Sequence, residues 1–244
     1  MRIAHITDLH YRGALLGRPA IERRKGRNVL SMLETLTPRL QEAHPDILVC
    51  TGDLLDYPLD RLDEEATREQ GSRDVAAVRD TLAQVGCPVI AIPGNHDHPA
   101  VTWQQLGDGP RCRDQGGLRF VVFDDREGAD HVPHRLGAQR ERFERVLGDT
   151  ESTPQVHVQH FLVWPERNEG YPHTYADGAT LADRIVKSGV VRLVLSGHLH
   201  TGVEPARLGD TWFATAPAFC EAPHPVWIYD LNGRLLTWQQ ITID

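Results

Sequence analysis

The stretch Ile47-Leu48-Val49-Cys50-Thr51-Gly52-Asp53-Leu54-Leu55-Asp56 sets four consecutive apolar residues ahead of a Gly-Asp pair. A short apolar run closed by a turn signal reads as a fully buried β-strand, and the glycine lets the backbone turn sharply where the strand stops. The arrangement recurs along the chain. Residues 3–7 lead into Asp8-x-His10, residues 89–93 into Gly94-Asn95-His96-Asp97, and residues 191–196 into Gly197-His198-x-His200. In an open α/β sheet, loops at the carboxyl ends of the strands meet in one crevice. Carboxylates, imidazoles and one amide are therefore expected to converge. Such a set binds divalent metals and is large enough for two ions.

Outward from these clusters, strand and helix signals alternate. A helix is expected over 20–43, with Leu33, Leu36, Leu40 and Ala43 on one face. After the second strand come an acidic, polar stretch over 60–70 and a helix ending near Val85, before Gly86. A loop-rich passage through Trp103, Pro110 and Gly116-Gly117 ends at a strand over 118–123. A helix over 138–147 precedes a strand over 156–159 that reaches His160. An irregular segment over 161–178 follows, then a helix around 181–187. The C-terminal part reads as strands at 211–215, 226–231 and 235–243, the last two joined by the hairpin signal Asn232-Gly233. The expected fold is α/β: a four-layer α/β/β/α sandwich of two mixed β-sheets flanked by helices, formed as one domain over residues 1–244.

At 244 residues, 40% hydrophobic and 25% charged, the chain can bury a full core and reads as globular. Its formal charge of −8 lacks the basic excess that a non-specific grip on duplex nucleic acid needs. The four cysteines, Cys50, Cys87, Cys112 and Cys220, show neither zinc-finger nor redox spacing and suggest a reducing, cytoplasmic setting. The first strand begins at Arg2, which leaves no room for a signal peptide, and no apolar run has the length of a membrane span.

Asp8 and His10 are two apart, so on an extended strand end both side chains leave on one face; His198 and His200 repeat that spacing. With no cysteine in the set, the donors are hard or borderline. They suit Mn, Fe, Co or Zn without selecting among them.

The ordered series Asp-x-His, Gly-Asp-x-x-Asp, Gly-Asn-His-Asp, a lone His and Gly-His-x-His resembles the calcineurin-like metallophosphoesterase superfamily over Ile3 to His200. The run Phe213-Ala-Thr-Ala-Pro-Ala218 is similar to the strand and loop after the last His pair in bacterial members related to class III cyclic-nucleotide phosphodiesterases. The resemblance implies two divalent or mixed-valence ions. Asp8, His10, Asp53 and His200 would hold one; Asp53, Asn95, His160 and His198 would hold the other. A hydroxide between the ions would attack phosphorus in line. His96 would contact the phosphate or protonate the leaving oxygen, Asp97 would orient His96, and Asp56 would support the ligand shell without touching a metal. The family commonly has His-His-x-Pro where this chain reads Gln159-His160-Phe161; His160, at the strand end, is preferred to His157 inside the strand.

The remaining candidates concern substrate. The basic run Arg18, Arg23, Arg24, Lys25 and Arg27 reads first as a solvated helix face, and in its sharper form as one or two cations, Arg23 among them, reaching an anionic substrate. The segment 164–175 carries Trp164, Tyr171, His173 and Tyr175, and a connection this long often binds ligand; Trp164 and Tyr171 are its candidates. His5 reads as a core residue, and His98, His131, His134, His173 and His224 as loop residues. The resemblance implies dimetal hydrolysis of a small anionic phosphate ester such as a nucleotide, by a phosphodiesterase in preference to a monoesterase. A nucleotide or lipid pyrophosphohydrolase, a nuclease and a non-catalytic scaffold are the alternatives.

Overall fold

The computed structural model describes residues 1–17, 21–107, 112–149 and 153–243. Arg18, Pro110 and the expected helix start at residue 20 lie outside them. Strand β1 (Arg2–Ile6) is followed by α1 (Val29–Glu42), β2 (Ile47–Cys50), α2 (Glu65–Ala83), β3 (Val89–Ala91) and α3 (Pro99–Leu106). Then come β4 (Cys112–Gln115), β5 (Leu118–Val122), β6 (Arg126–Glu127), β7 (Pro133–His134), α4 (Gly137–Gly148), β8 (Gln155–Val158) and α5 (Gly178–Ser188). The chain ends with β9 (Val191–Ser196), β10 (Val203–Leu208), β11 (Thr211–Thr215), β12 (Val226–Asn232) and β13 (Leu235–Ile241).

Two mixed sheets form the centre. One runs β13-β12-β1-β2-β3 and the other β10-β11-β9-β8-β5-β4. β1, β2 and β3 are parallel to one another, and so are β5, β8 and β9. Their carboxyl ends therefore deliver 7–10, 51–56, 92–97, 159–160 and 197–200 to one edge. β1 and β2 are buried on both faces, which explains their unbroken apolar runs. Ile3 and Val49 meet Phe120, Val156, Val158, Leu193 and Leu195 between the sheets. Ala4, Ile6, Leu48 and Cys50 pack under Leu33, Leu36 and Leu40 of α1 and Val75, Val78 and Leu82 of α2. Phe143 of α4 and Leu181, Ala182 and Ile185 of α5 cover the opposite face of the second sheet. These are the four expected layers.

Several element expectations need correction. Residues 21–25 are not helical, Arg27 lies in a short 3-10 turn over Gly26–Asn28 and α1 starts only at Val29, so the described part of the basic run precedes the helix expected to carry it. The acidic stretch over 60–70 is helical from Glu65. The passage expected as loop contains α3, with Pro99 in its first turn and the amide of Val101 donating to His98 Nδ1 at 3.3 Å. Edge strands β4 and β10 were not expected; β4 is largely polar and exposed, and β10 has no fully buried residue.

His157 lies within β8, where its Nε2 is 2.9 Å from Gln155 Oε1 and its ring packs edge-on to Phe123 and Phe143. Burial, and then the charges of Arg135 and Arg142, push its pKa well below the usual value. An unfolded chain takes up this proton near pH 6.5 and the folded chain refuses it. Below about pH 6.5 this group alone should cost about 1.4 kcal/mol of stability per pH unit, and above it nothing. In urea unfolding followed from pH 7 to pH 5, His157→Gln should show a shallower loss by that slope. Equal slopes would contradict the assignment.

Candidate active site

The first donor loop leaves β1 after Ile6, and its histidine and aspartate do not continue an extended strand. Asp8 and His10 take φ of 53° and 44°, Asp53 takes 49° and His198 takes 68°. Left-handed backbone costs a non-glycine residue about 1–2 kcal/mol. Here it is held in place by cross-loop bonds, from Asp8 N to Gly52 O (3.0 Å) and from His10 N to Asp53 O (2.9 Å). The convergence of Asp8 with His10 thus comes from turned backbone and not from the strand geometry expected. The loops also touch. At Gly52, with φ of 106°, a Cβ would lie 2.5 Å from His160 Nδ1, and at Gly94 it would overlap the Asp53 carboxylate. Only glycine permits this approach at both places.

Seven side chains named from the sequence meet here. Asp8 Oδ2 accepts from Thr7 Oγ1 (2.7 Å) and His198 N (2.9 Å), whereas Oδ1 is buried with no hydrogen-bond partner among the described residues. Oδ1 lies 3.6 Å from His200 Nε2 and 3.9 Å from His10 Nε2, and those two nitrogens are 3.2 Å apart. Asp53 divides its oxygens: Oδ2 is 3.4 Å from His10 Nε2, and Oδ1 is 3.5 Å from His160 Nε2. Asn95 Oδ1 lies 3.0 Å from His160 Nε2, and the nearby His198 Nε2 is a second buried orphan. Donors 2.0–2.2 Å from one ion stand about 3.0–3.6 Å apart, so these spacings and the two orphaned donors fit a pair of metal ions. 

In the metal-free site the electrostatics of His10, His198 and Asp53 agree with that fit. Burial drives the pKa of His10 and of His198 far down, so both present neutral nitrogens. Burial alone would raise Asp53, but His160 and His96 beside it hold its carboxyl well below the usual range. His160 moves the other way: burial would lower it, and Asp53 lifts it to about 9. Its Nδ1 is tied to Thr51 O at 2.7 Å, which leaves Nε2 facing the donor set.

Asp97 is not beside His96 as expected. Its oxygens accept from the amides of Leu54 (3.0 Å), Leu55 (2.9 Å) and Gly94 (2.8 Å), so it clamps two donor loops together. Burial, with the Asp53 charge, raises its pKa to about 7 despite these bonds. Asp56 takes the place next to His96, with Oδ1 3.4 Å from His96 Nδ1, 3.5 Å from Arg24 and 3.9 Å from His10 Nδ1.

A cleft of about 550 Å³ opens over the donors. Of the three substrate candidates, Arg23 and Tyr171 line it. Trp164 does not; it packs on Phe213 with ring centroids 5.6 Å apart, beside α5. Arg24 of the basic run and the loop residues His131 and His173 line the cleft too, as does Glu127, which the sequence did not single out. Glu221 was missed as well. Its Oε1 accepts from Arg23 Nε (2.9 Å) and lies 2.6 Å from His200 Nδ1, which fixes that imidazole with Nε2 toward the donors. Cys220 brings its thiol within 4.8 Å of the His10 and His200 nitrogens, although every cysteine was expected to lie outside the site. It is buried, and burial raises its pKa. No short motif marks these residues; they are assembled by the fold.

The calcineurin-like phosphoesterase family model matches residues 1–202. A probable cyclic nucleotide phosphodiesterase of Synechococcus sp. is 30% identical over 224 residues, covering 89% of this chain and 80% of that protein. The 3′,5′-cyclic adenosine monophosphate phosphodiesterase CpdA of Escherichia coli is 27% identical over 230 residues, 90% of this chain and 76% of its own. Among solved structures, a dimetal phosphatase from Danio rerio superposes with a TM-score of 0.70 at 16% identity, covering 99% of this chain and 98% of that one. That last likeness speaks for the fold. Together with the paired donor sets, the family match settles the class of the chain: it belongs to the calcineurin-like phosphoesterases and is a metal-dependent hydrolase of phosphate esters.

Proposed function

We propose that this protein is a phosphodiesterase of 3′,5′-cyclic nucleotides. The observation that carries the reading is Asp53, whose two oxygens face imidazoles of two separate donor sets while His96 stands at the mouth of the same cleft. In this reading Asp8, His10, Asp53 and His200 hold one divalent ion, and Asp53, Asn95, His160 and His198 the other. Bound ions supply Lewis-acid activation of water and neutralise phosphoryl oxygens. The donors are nitrogen and oxygen, which admits Mn, Fe, Co or Zn. The chain's own residues do the rest. Arg24 and Arg23 hold the anionic phosphodiester from one wall. Water adds to phosphorus, the P–O3′ bond breaks, and the 3′ oxygen takes a proton from His96, which the incoming water's proton restores. The product is a 5′-nucleotide.

The relatives named above support the cyclic-nucleotide substrate. The net charge of −8 speaks against duplex nucleic acid. No described helix is long and apolar enough to cross a membrane, and all four cysteines are free thiols. We further propose a cytoplasmic setting, which the four unpaired thiols support, and one metallophosphoesterase domain over residues 1–244, which the family match over residues 1–202 supports. Purified protein loaded with Mn²⁺ should convert 3′,5′-cyclic AMP to 5′-AMP and cleave bis(p-nitrophenyl) phosphate faster than p-nitrophenyl phosphate. A preference for the monoester would overturn the assignment.

A further inference from the structure

Part of the cleft lining comes from the β6–β7 hairpin and the 161–178 connection rather than from the donor loops. Glu127, on β6, is the one carboxylate besides Asp53 among the cleft-lining residues, and its side chain is only 19% exposed. Oε2 accepts from Tyr171 Oη at 3.2 Å, and Oε1 lies 3.1 Å from His131 Nδ1. A carboxylate has about four acceptor positions, so each oxygen keeps room for another donor. Flat rings lead up to it. His173 lies 5.1 Å from the His198 ring, Tyr171 lies 5.6 Å from His198 and 5.2 Å from His173, and His131 lies 5.7 Å from Tyr171.

A substrate that is phosphate throughout gains nothing from a negative group in the cleft that Arg23 and Arg24 also line, and Coulomb repulsion disfavours it beside that group. A ligand with phosphate at one end and a flat ring bearing N–H donors at the other satisfies both poles. We propose that Glu127, positioned by Tyr171 and His131, is a base-recognition subsite that accepts a hydrogen bond from the amino group of a nucleobase such as adenine, with Tyr171 and His173 as its stacking wall. This rests on the phosphodiesterase reading and narrows its substrate.

The test compares Mn²⁺-loaded wild type on 3′,5′-cyclic AMP and on purine riboside 3′,5′-cyclic monophosphate, which differs by lacking the amino group. A hydrogen bond to a charged acceptor separates the two by roughly 10- to 100-fold in kcat/KM. Glu127→Gln and Glu127→Ala should each bring that ratio toward one. The wild-type ratio does not depend on how either variant folds. A wild-type ratio near one, a ratio unmoved by both substitutions, or no turnover of either nucleotide overturns the subsite. Wild-type cleavage of bis(p-nitrophenyl) phosphate, which has no base, separates the two failures: if that also fails, the phosphodiesterase reading falls too.

Discussion

Asp53→Asn should lower kcat/KM on bis(p-nitrophenyl) phosphate by about 10⁴-fold or more and take the metal content from two ions per chain to one or fewer. The substitution keeps the shape of the side chain and one acceptor. It removes the charge and turns an NH₂ group toward one of two imidazoles. In the native chain each Asp53 oxygen stands about equally close to a histidine, 3.4 Å from His10 and 3.5 Å from His160. Whichever way the amide is placed, one donor set loses its shared anion. Two ions stabilise a phosphoryl transition state by several kcal/mol, and each 1.36 kcal/mol is tenfold in rate, so losing both ions removes several powers of ten. In the metal-free protein the Asp53 charge also holds the pKa of His160 up, to about 9, and without that charge burial should drive it down. Elemental analysis, the hydrolysis rate and circular dichroism on one preparation decide the matter. Two retained ions with activity within tenfold of wild type would refute the shared-carboxylate role.

That Asp53 could be found from the sequence follows from where it sits. The strands that carry the donor loops are buried on both faces, so each appears as an apolar run with an abrupt polar stop, and the parallel order puts all the stops at one edge. The two edge strands β4 and β10 lack that signature, because solvent covers much of them and no apolar alternation is required. Helix α3 is too short for a periodic pattern, although His98-Pro99 carries its start signal. The basic run was placed on a helix because the helix was expected from residue 20, whereas α1 begins at Val29.

In the site, what was legible is what one loop contains, and what was hidden is what two loops share. Spacing identified Asp8 with His10 and His198 with His200, yet both pairs converge through left-handed backbone that a two-residue repeat does not reveal. Asp97 was paired with His96 because the resemblance implied it. Its oxygens are consumed by amides of residues 54, 55 and 94, and Asp56, forty residues away by chain order, is the carboxylate at His96. Glu221 under His200 and Glu127 across the cleft are long-range partners of the same kind.

His96→Asn should separate catalysis from metal binding. The ring nitrogens of His96 come within 4.8 Å of donor atoms of His10 and Asp53, so on distance alone it competes with the proposed ligands. Its surroundings argue for a proton donor. Its amide is already bonded to Asp53 Oδ1 at 2.8 Å, Asp56 stands 3.4 Å from Nδ1, and the ring borders the open cleft. An imidazole steadied by a carboxylate on one nitrogen can deliver a proton from the other, and such acid catalysis is worth about 10²- to 10⁴-fold. The benefit depends on the leaving group. A ribose 3′ alkoxide is strongly basic and needs the proton; p-nitrophenolate leaves readily without it. The variant is therefore expected to keep two ions per chain, to lose about 10³-fold in kcat on cyclic AMP, and to lose less than about tenfold on bis(p-nitrophenyl) phosphate. Asp56→Asn should weaken the same discrimination in part, since it leaves the imidazole in place and removes only its charged neighbour. An equal loss on both substrates, or a loss of metal, would make His96 a ligand or a scaffold residue and leave the leaving oxygen without a donor in this chain.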